Sequence, residues 1–222
     1  MKVRITPFTP EGVITAPPSK SVAMRYILLA AVADGKTGIE NVGDSADVLV
    51  AIDCAGSLGA EVDYDGRSVI VYGIKTLPET ADFDFGECGF LLRTVIPVAN
   101  ALGVKFSYRT CGNLSLRPVK PLFDALSKSL FKTENGEYYG KATAGEFVID
   151  GSQSSQFISG LLFAAAVDFI DKSFGLACSF YSDYELHKYT PFFRQWDFFA
   201  KRASAGNARF GVGYFCTRLY FT

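Results

Sequence analysis

Ser21, Gly89 and Ser155 stand 68 and 66 residues apart, and each heads a helix-length run that is apolar on nearly every side. The runs are residues 22–33, 90–102 and 157–167. A helix apolar all round has no face to give to water and must be buried. Three such helices at a steady spacing read as one supersecondary unit copied three times. The expected fold class is α/β, with pseudo-threefold symmetry and buried parallel helices covered by mixed sheets. Each copy is a β-α-β-α-β-β unit, over about residues 15–76, 77–145 and 146–222.

Punctuation inside the units supports this reading. In the first, 12–16 reads as a strand, 19–33 as the apolar helix and 38–42 as a strand. Asp44-Ser45-Ala46-Asp47 is an N-cap region for a helix over 48–58, which Gly59 stops. Strands 60–64 and 68–72 flank Asp65-Gly66, a strong hairpin signal. In the second, a strand over 81–85 enters the turn Gly86-Glu87-Cys88-Gly89. The helix over 90–102 carries Pro97, a kink position, and a strand follows over 104–110. Pro118 suits the first position of a second helix running to about Leu130, and Asn135-Gly136 marks a hairpin. In the third, a strand over 146–150 leads through Gly151-Ser152-Gln153-Ser154-Ser155-Gln156 into the helix. A strand over 174–181, a helix over 191–203 and an aromatic hairpin over 207–222 complete it.

The polar residues of these helices gather at their starts. Lys20, Ser21 and Arg25 open the first, with Ser21 and Arg25 four apart on one face. A helix N-terminus already offers unpaired N–H groups and partial positive charge, so this cluster predicts an anion site for phosphate or carboxylate. Under threefold packing, three such ends face one cleft that suits a highly anionic ligand.

Bulk properties exclude other classes. With 222 residues, 49% apolar and 20% charged, the chain is globular. A net charge of −1 gives no basic footprint for nucleic acid or a membrane surface. Five cysteines without Cys-x-x-Cys spacing argue for reduced, cytoplasmic thiols rather than disulfides or zinc. The only histidine, His187, removes His-based metal sites and weakens any Ser-His-Asp proposal. No metal or cofactor is expected. Arg4, Pro7, Pro10 and Glu11 interrupt any signal-peptide run, and 22–33 is too short to span a bilayer.

Taken in order, several motifs resemble the 3-phosphoshikimate 1-carboxyvinyltransferase (EPSP synthase) family. They are Ser19-Lys20-Ser21 with Arg25; Asn41-Val42-Gly43-Asp44-Ser45-Ala46-Asp47; residues 86–93; Leu116-Arg117-Pro118; and Gly151 through Phe157. The resemblance covers about residues 1–170 and fades beyond Tyr181. It implies one lobe of a two-lobed fold. Residues 1–14 would be the strand that joins the other lobe, and 15–222 the single lobe of three units.

The implied reaction moves the enolpyruvyl group of phosphoenolpyruvate to the 5-hydroxyl of shikimate 3-phosphate and releases phosphate. By motif position, Lys20 would contact both substrates and serve catalysis. Ser21 and Arg25 would hold shikimate 3-phosphate, and Gly89 would let the backbone approach phosphoenolpyruvate. Arg117 would pair with the phosphoenolpyruvate phosphate. Ser154, Ser155 and Gln156 would donate to shikimate 3-phosphate, with Tyr189 packed on its ring. A complementary second lobe would supply the remaining acid-base groups, so this chain alone is expected to bind without turnover. The aromatic tail, including Phe192, Trp196, Phe199 and Tyr220, offers a surface for self-association.

Two stretches depart from the family pattern. Glu87-Cys88-Gly89-Phe90 replaces Asn-Ala-Gly-Thr, and Glu87 is expected to repel a bound anion. His187-Lys188-Tyr189 replaces a Ser-Lys-Pro-Tyr-like segment. Other readings are open at this level. The serines can be helix caps, Arg25 a solvated edge residue and Gly89 a packing residue. The chain can equally be a relative acting on UDP-N-acetylglucosamine, or a non-catalytic anion-binding module on the same fold. An RNA-end-processing enzyme on similar units fits the acidic charge balance poorly.

Overall fold

The computed structural model describes residues 9, 11–13, 17–142, 147–149, 154–169 and 207–211. In chain order these form α1 (Lys20–Val32), β1 (Lys36–Glu40), α2 (Ala46–Ser57), β2 (Glu61–Tyr64), β3 (Val69–Tyr72) and β4 (Thr80–Asp84). Then come α3 (Gly89–Leu102), β5 (Lys105–Arg109), a 3-10 turn (Gly112–Leu116), α4 (Lys120–Leu126), β6 (Phe131–Lys132), β7 (Tyr138–Tyr139), α5 (Ser155–Phe169) and β8 (Asn207–Gly211). No helix among the described residues is long and apolar enough to cross a membrane.

Two four-stranded mixed sheets organise these elements, in the orders β2-β3-β1-β8 and β6-β7-β5-β4. β1 runs antiparallel to β3 and parallel to β8; β5 runs antiparallel to β7 and parallel to β4. The sheets therefore share one wiring. A strand that follows an apolar helix pairs on one side with its own hairpin and on the other with a parallel strand. The hairpins form where expected. Asp65 Oδ1 accepts from the N–H groups of Arg67 (2.8 Å) and Ser68 (2.6 Å), and Gly66 takes φ 93°.

Burial follows the period of each element. β4 alternates, with Ala81 and Phe83 inward and Asp82 and Asp84 outward. In α3 every residue from Gly89 to Ala101 is buried, so this helix is the axis of the core. It ends at Gly103, φ 77°, where the N–H of Val104 reaches the Ala99 carbonyl. Asn100, fully buried, is satisfied by donating to the Ser129 carbonyl and accepting from the Ser129 hydroxyl, both at 2.9 Å.

The α3–α5 contact is unusually close. Pro97 has no N–H to give the Arg93 carbonyl four residues earlier. Gly160 of α5 closes on that carbonyl, and a Cβ on Gly160 would overlap its oxygen.

Several boundaries differ from expectation. β1 runs Lys36–Glu40 rather than 38–42. α4 spans only Lys120–Leu126, and the proline in its first turn is Pro121. Pro118 instead lies in the connection after the 3-10 turn, where its carbonyl accepts from Arg93. Of the strand expected over 146–150, only 147–149 are described, and they are not strand. Phe147 and Ile149 do pack on the core while Val148 is exposed. The stretch read as a hairpin over 207–222 contributes β8. The expected elements at 14–16, 174–181, 191–203 and 212–222 lie outside the described residues.

Candidate functional site

At the head of α1, the Ser19 carbonyl accepts from the N–H groups of Val22 and Ala23, but its hydroxyl makes no capping bond. Lys20 Nζ lies 2.7 Å from Asp47 Oδ2, in the first turn of α2. That hydrogen bond holds the Lys20 ammonium above its ordinary pKa. The Lys20 side chain remains 52% exposed and therefore free to meet a ligand. Ser21 is exposed, and its backbone carbonyl accepts from Arg25 Nη1 at 2.6 Å. The Arg25 guanidinium carbon sits 4.3 Å from the Phe90 ring centroid, which ties α1 to the first turn of α3.

The second sequence motif buttresses this head. Gly43, at φ 76°, lies so close to Pro18 that a Cβ there would fall 2.6 Å from Pro18 Cγ. Tyr64 donates to the Gly43 carbonyl at 2.9 Å.

The head of α3 follows a tight turn in which Gly86 takes φ 51° and the Cys88 N–H reaches the Phe85 carbonyl. Gly89 is the first helical residue. A Cβ on it would lie 2.5 Å from Arg93 Nη1 and 3.4 Å from Arg117 Nη1. Two guanidinium groups thus flank a residue without a side chain. Cys88 Sγ rests 3.7 Å from Met24 Sδ of α1, and burial pushes the thiol up to about 11. The thiol is neutral at pH 7, so no thiolate competes with an anion here.

Glu87, the carboxylate expected to repel a bound anion, is engaged by the backbone of the turn that precedes Arg117. Its Oε1 accepts from the Asn113 N–H at 3.0 Å and lies over Gly112, φ 54°, where a Cβ would overlap it. The Cys111 N–H also reaches the Gly86 carbonyl. These bonds fasten the segment that delivers Arg117. The Glu87 carboxylate therefore helps to hold the 3-10 turn that precedes Arg117.

At the head of α5, the Ser154 hydroxyl accepts from the Gln156 N–H at 3.3 Å and its carbonyl from the Phe157 N–H at 3.2 Å. Ser154 is thus a capping residue in this structure. Ser155 is the first residue of α5, half-buried, and its carbonyl accepts from the Ser159 hydroxyl. Gln156 Oε1 accepts from Arg93 Nη1 at 2.9 Å. Tyr189, with His187 and Lys188, lies outside the described residues.

Arg93 was not foreseen as a site residue. It is 4% exposed and is the only charge in α3. It also donates to the Gly89 carbonyl at 3.1 Å and to the Pro118 carbonyl at 3.2 Å, and its guanidinium lies 5.1 Å from the Phe157 ring centroid. Its Nε is buried with no hydrogen-bond partner among the described residues. Burial, and then the charge of Arg117, lower its pKa. A lone charge in an otherwise apolar buried helix, four residues after Gly89, was the available signal.

Contacts thus join α1 to the head of α3, through Met24 with Cys88 and Arg25 with Phe90, and α3 to the head of α5, through Arg93 with Gln156. Lys20 is balanced by Asp47. No carboxylate forms an ion pair with Arg93 or Arg117 among the described residues. Unpaired guanidinium charge beside a helix N-terminus favours phosphate or carboxylate.

Comparison with known proteins shows which family the chain resembles. The family model described as EPSP synthase (3-phosphoshikimate 1-carboxyvinyltransferase) matches residues 7–172. A 3-phosphoshikimate 1-carboxyvinyltransferase of Clostridium perfringens is 34% identical over 170 residues, 73% of this chain and 40% of that protein. One from Clostridium kluyveri is 34% identical over 172 residues, with the same coverage. The chain spans about 40% of the length of these curated relatives. Among solved structures, an EPSP synthase of Acinetobacter baumannii aligns with TM-score 0.58 at 21% identity, over 70% of this chain and 38% of that one. This last likeness speaks to fold.

Proposed function

Because the chain belongs to the EPSP synthase family, we propose that the joined heads of α1, α3 and α5 bind the phosphorylated acids of that family's reaction. The enolpyruvyl group of phosphoenolpyruvate would pass to the 5-hydroxyl of shikimate 3-phosphate, through addition and then elimination of phosphate. The observation that carries this reading is Gly89, a helix-heading residue without a side chain beside the guanidinium groups of Arg93 and Arg117.

In this reading Arg117 takes the phosphoenolpyruvate phosphate in bidentate fashion, and the Gly89 backbone accommodates its close approach. Ser21, Arg25, Ser155 and Gln156 hold shikimate 3-phosphate, with Ser154 fixing the first turn of α5 and Tyr189 packing on the ring. Lys20, charged at neutral pH, touches both substrates and stabilises negative charge as it develops. The third unit, over about 146–222, repeats the wiring of the first two around a pseudo-threefold axis. Residues 1–14 form the strand of a second lobe, whose residues complete the acid-base machinery. No cofactor takes part, and the setting is cytoplasmic. The chain alone binds shikimate 3-phosphate weakly without turning it over.

Calorimetry with shikimate 3-phosphate tests this directly. Binding heat is expected at millimolar ligand, lost in Lys20→Glu and Arg25→Glu while the melting temperature hardly moves. No heat from the unsubstituted chain refutes the reading. A collapse of melting temperature in both variants makes these residues structural instead.

A further inference from the structure

We propose that Arg93 is a positioning residue, whose guanidinium fork turns the Gln156 amide toward shikimate 3-phosphate and sets the spacing of Gly89 and Arg117 around phosphoenolpyruvate. The proposal rests on the anion-site reading above. One buried group bonds three separate segments: the first turn of α3 at the Gly89 carbonyl, the first turn of α5 at Gln156 Oε1, and the Arg117–Pro118 connection at the Pro118 carbonyl.

The consequence for Gln156 is chemical. A side-chain amide has one acceptor end and one donor end. With Oε1 engaged by Arg93, the Nε2 hydrogens point away from Arg93 and present donors to an incoming anion. Rotated the other way, the amide would offer that anion an oxygen and repel it. Arginine, which has no acceptor, enforces the first orientation at every pH of interest.

A planar fork does this where a point charge cannot. Nη1 divides between Gly89 and Gln156 while Nη2 takes Pro118, so three carbonyl-type oxygens are held at fixed angles. Phe157 against the guanidinium holds the plane. Gly89 is pinched between Arg93 and Arg117, so displacing Arg93 also frees the space that sets the distance to Arg117.

A double-mutant cycle separates positioning from mere packing. Shikimate 3-phosphate is titrated into the unsubstituted chain, Arg93→Met, Gln156→Leu and the double variant. Each single change is expected to weaken binding about tenfold, and the double change no more than about threefold beyond either single, because both remove one function. Arg93→Lys restores less than half of the lost affinity on the logarithmic scale, since it keeps charge and loses the fork. In the unsubstituted chain, the Gln156 side-chain amide resonances shift on adding ligand, and this holds even should Arg93→Met fail to fold. Independent, multiplying losses in the cycle overturn the proposal, as do full rescue by lysine or an unmoved Gln156 amide at saturation. Absence of any binding to the unsubstituted chain is a different failure, that of the anion site itself.

Discussion

Gly160→Ala is expected to destabilise the fold by about 3 kcal/mol, which for a chain of this size lowers the melting temperature by about 10 °C. The added methyl would overlap the Arg93 carbonyl oxygen and crowd Pro97 Cγ at 3.2 Å. Neither neighbour can yield cheaply. The carbonyl belongs to the backbone of a helix buried from Gly89 to Ala101, and the proline ring is rigid. In an exposed helix the same change is favourable by about 1 kcal/mol, so the sign itself is diagnostic. Thermal unfolding followed by circular dichroism checks it. A melting temperature within about 1 °C of the unsubstituted chain contradicts the α3–α5 packing. The effect reaches the site as well, because separating α5 from α3 pulls Gln156 off Arg93.

Gly89→Ala is expected to act in the opposite way, on binding rather than on stability. Gly89 lies in the first turn of α3 with no left-handed backbone requirement, so alanine suits the helix. Its Cβ, however, would sit 2.5 Å from Arg93 Nη1 and 3.3 Å from Leu114 Cδ1. The guanidinium groups must swing aside and the path of an anion to the α3 N–H groups narrows. Affinity for phosphoenolpyruvate, in the presence of shikimate 3-phosphate, should fall at least tenfold, or about 1.4 kcal/mol, with the melting temperature within about 3 °C. Unchanged affinity would mean that the anion sits elsewhere.

Much of this arrangement is legible in the sequence because its signals are local. All-round apolar runs mark α1, α3 and α5, since such helices have nowhere to go but the interior. Asp65-Gly66 and Asn135-Gly136 mark their turns because few residue pairs satisfy those backbone angles. Lys20, Ser21 and Gly89 are visible at helix heads, and Arg117 beside Pro118, as residues suited to phosphate.

Less legible are features made only by tertiary contact. Arg93 meets Gln156 across 63 residues of sequence, and nothing near either residue announces the other. Glu87 reads only as a charge near the site, and its bond to the Asn113 N–H, 26 residues on, is made by the fold. Pro118 looks like a helix start because proline favours that position, but Pro121 serves equally and the 3-10 turn before it decides between them. The parallel pairing of β1 with β8 joins segments at opposite ends of the chain, where periodicity carries no partner information. The serines were ambiguous between capping and binding, and geometry divides them. Ser154 caps, whereas the hydroxyl of Ser19 does not.

The proposed function requires that three helix heads act as one site. Amide chemical shifts of the isotope-labelled chain, followed during titration with shikimate 3-phosphate, test it most directly. The backbone amides of Lys20 and Ser21, of Gly89 and Phe90, and of Ser155 and Gln156 are expected to move together and saturate at one common ligand concentration. Shifts confined to a single head, or heads that saturate at different concentrations, would contradict it.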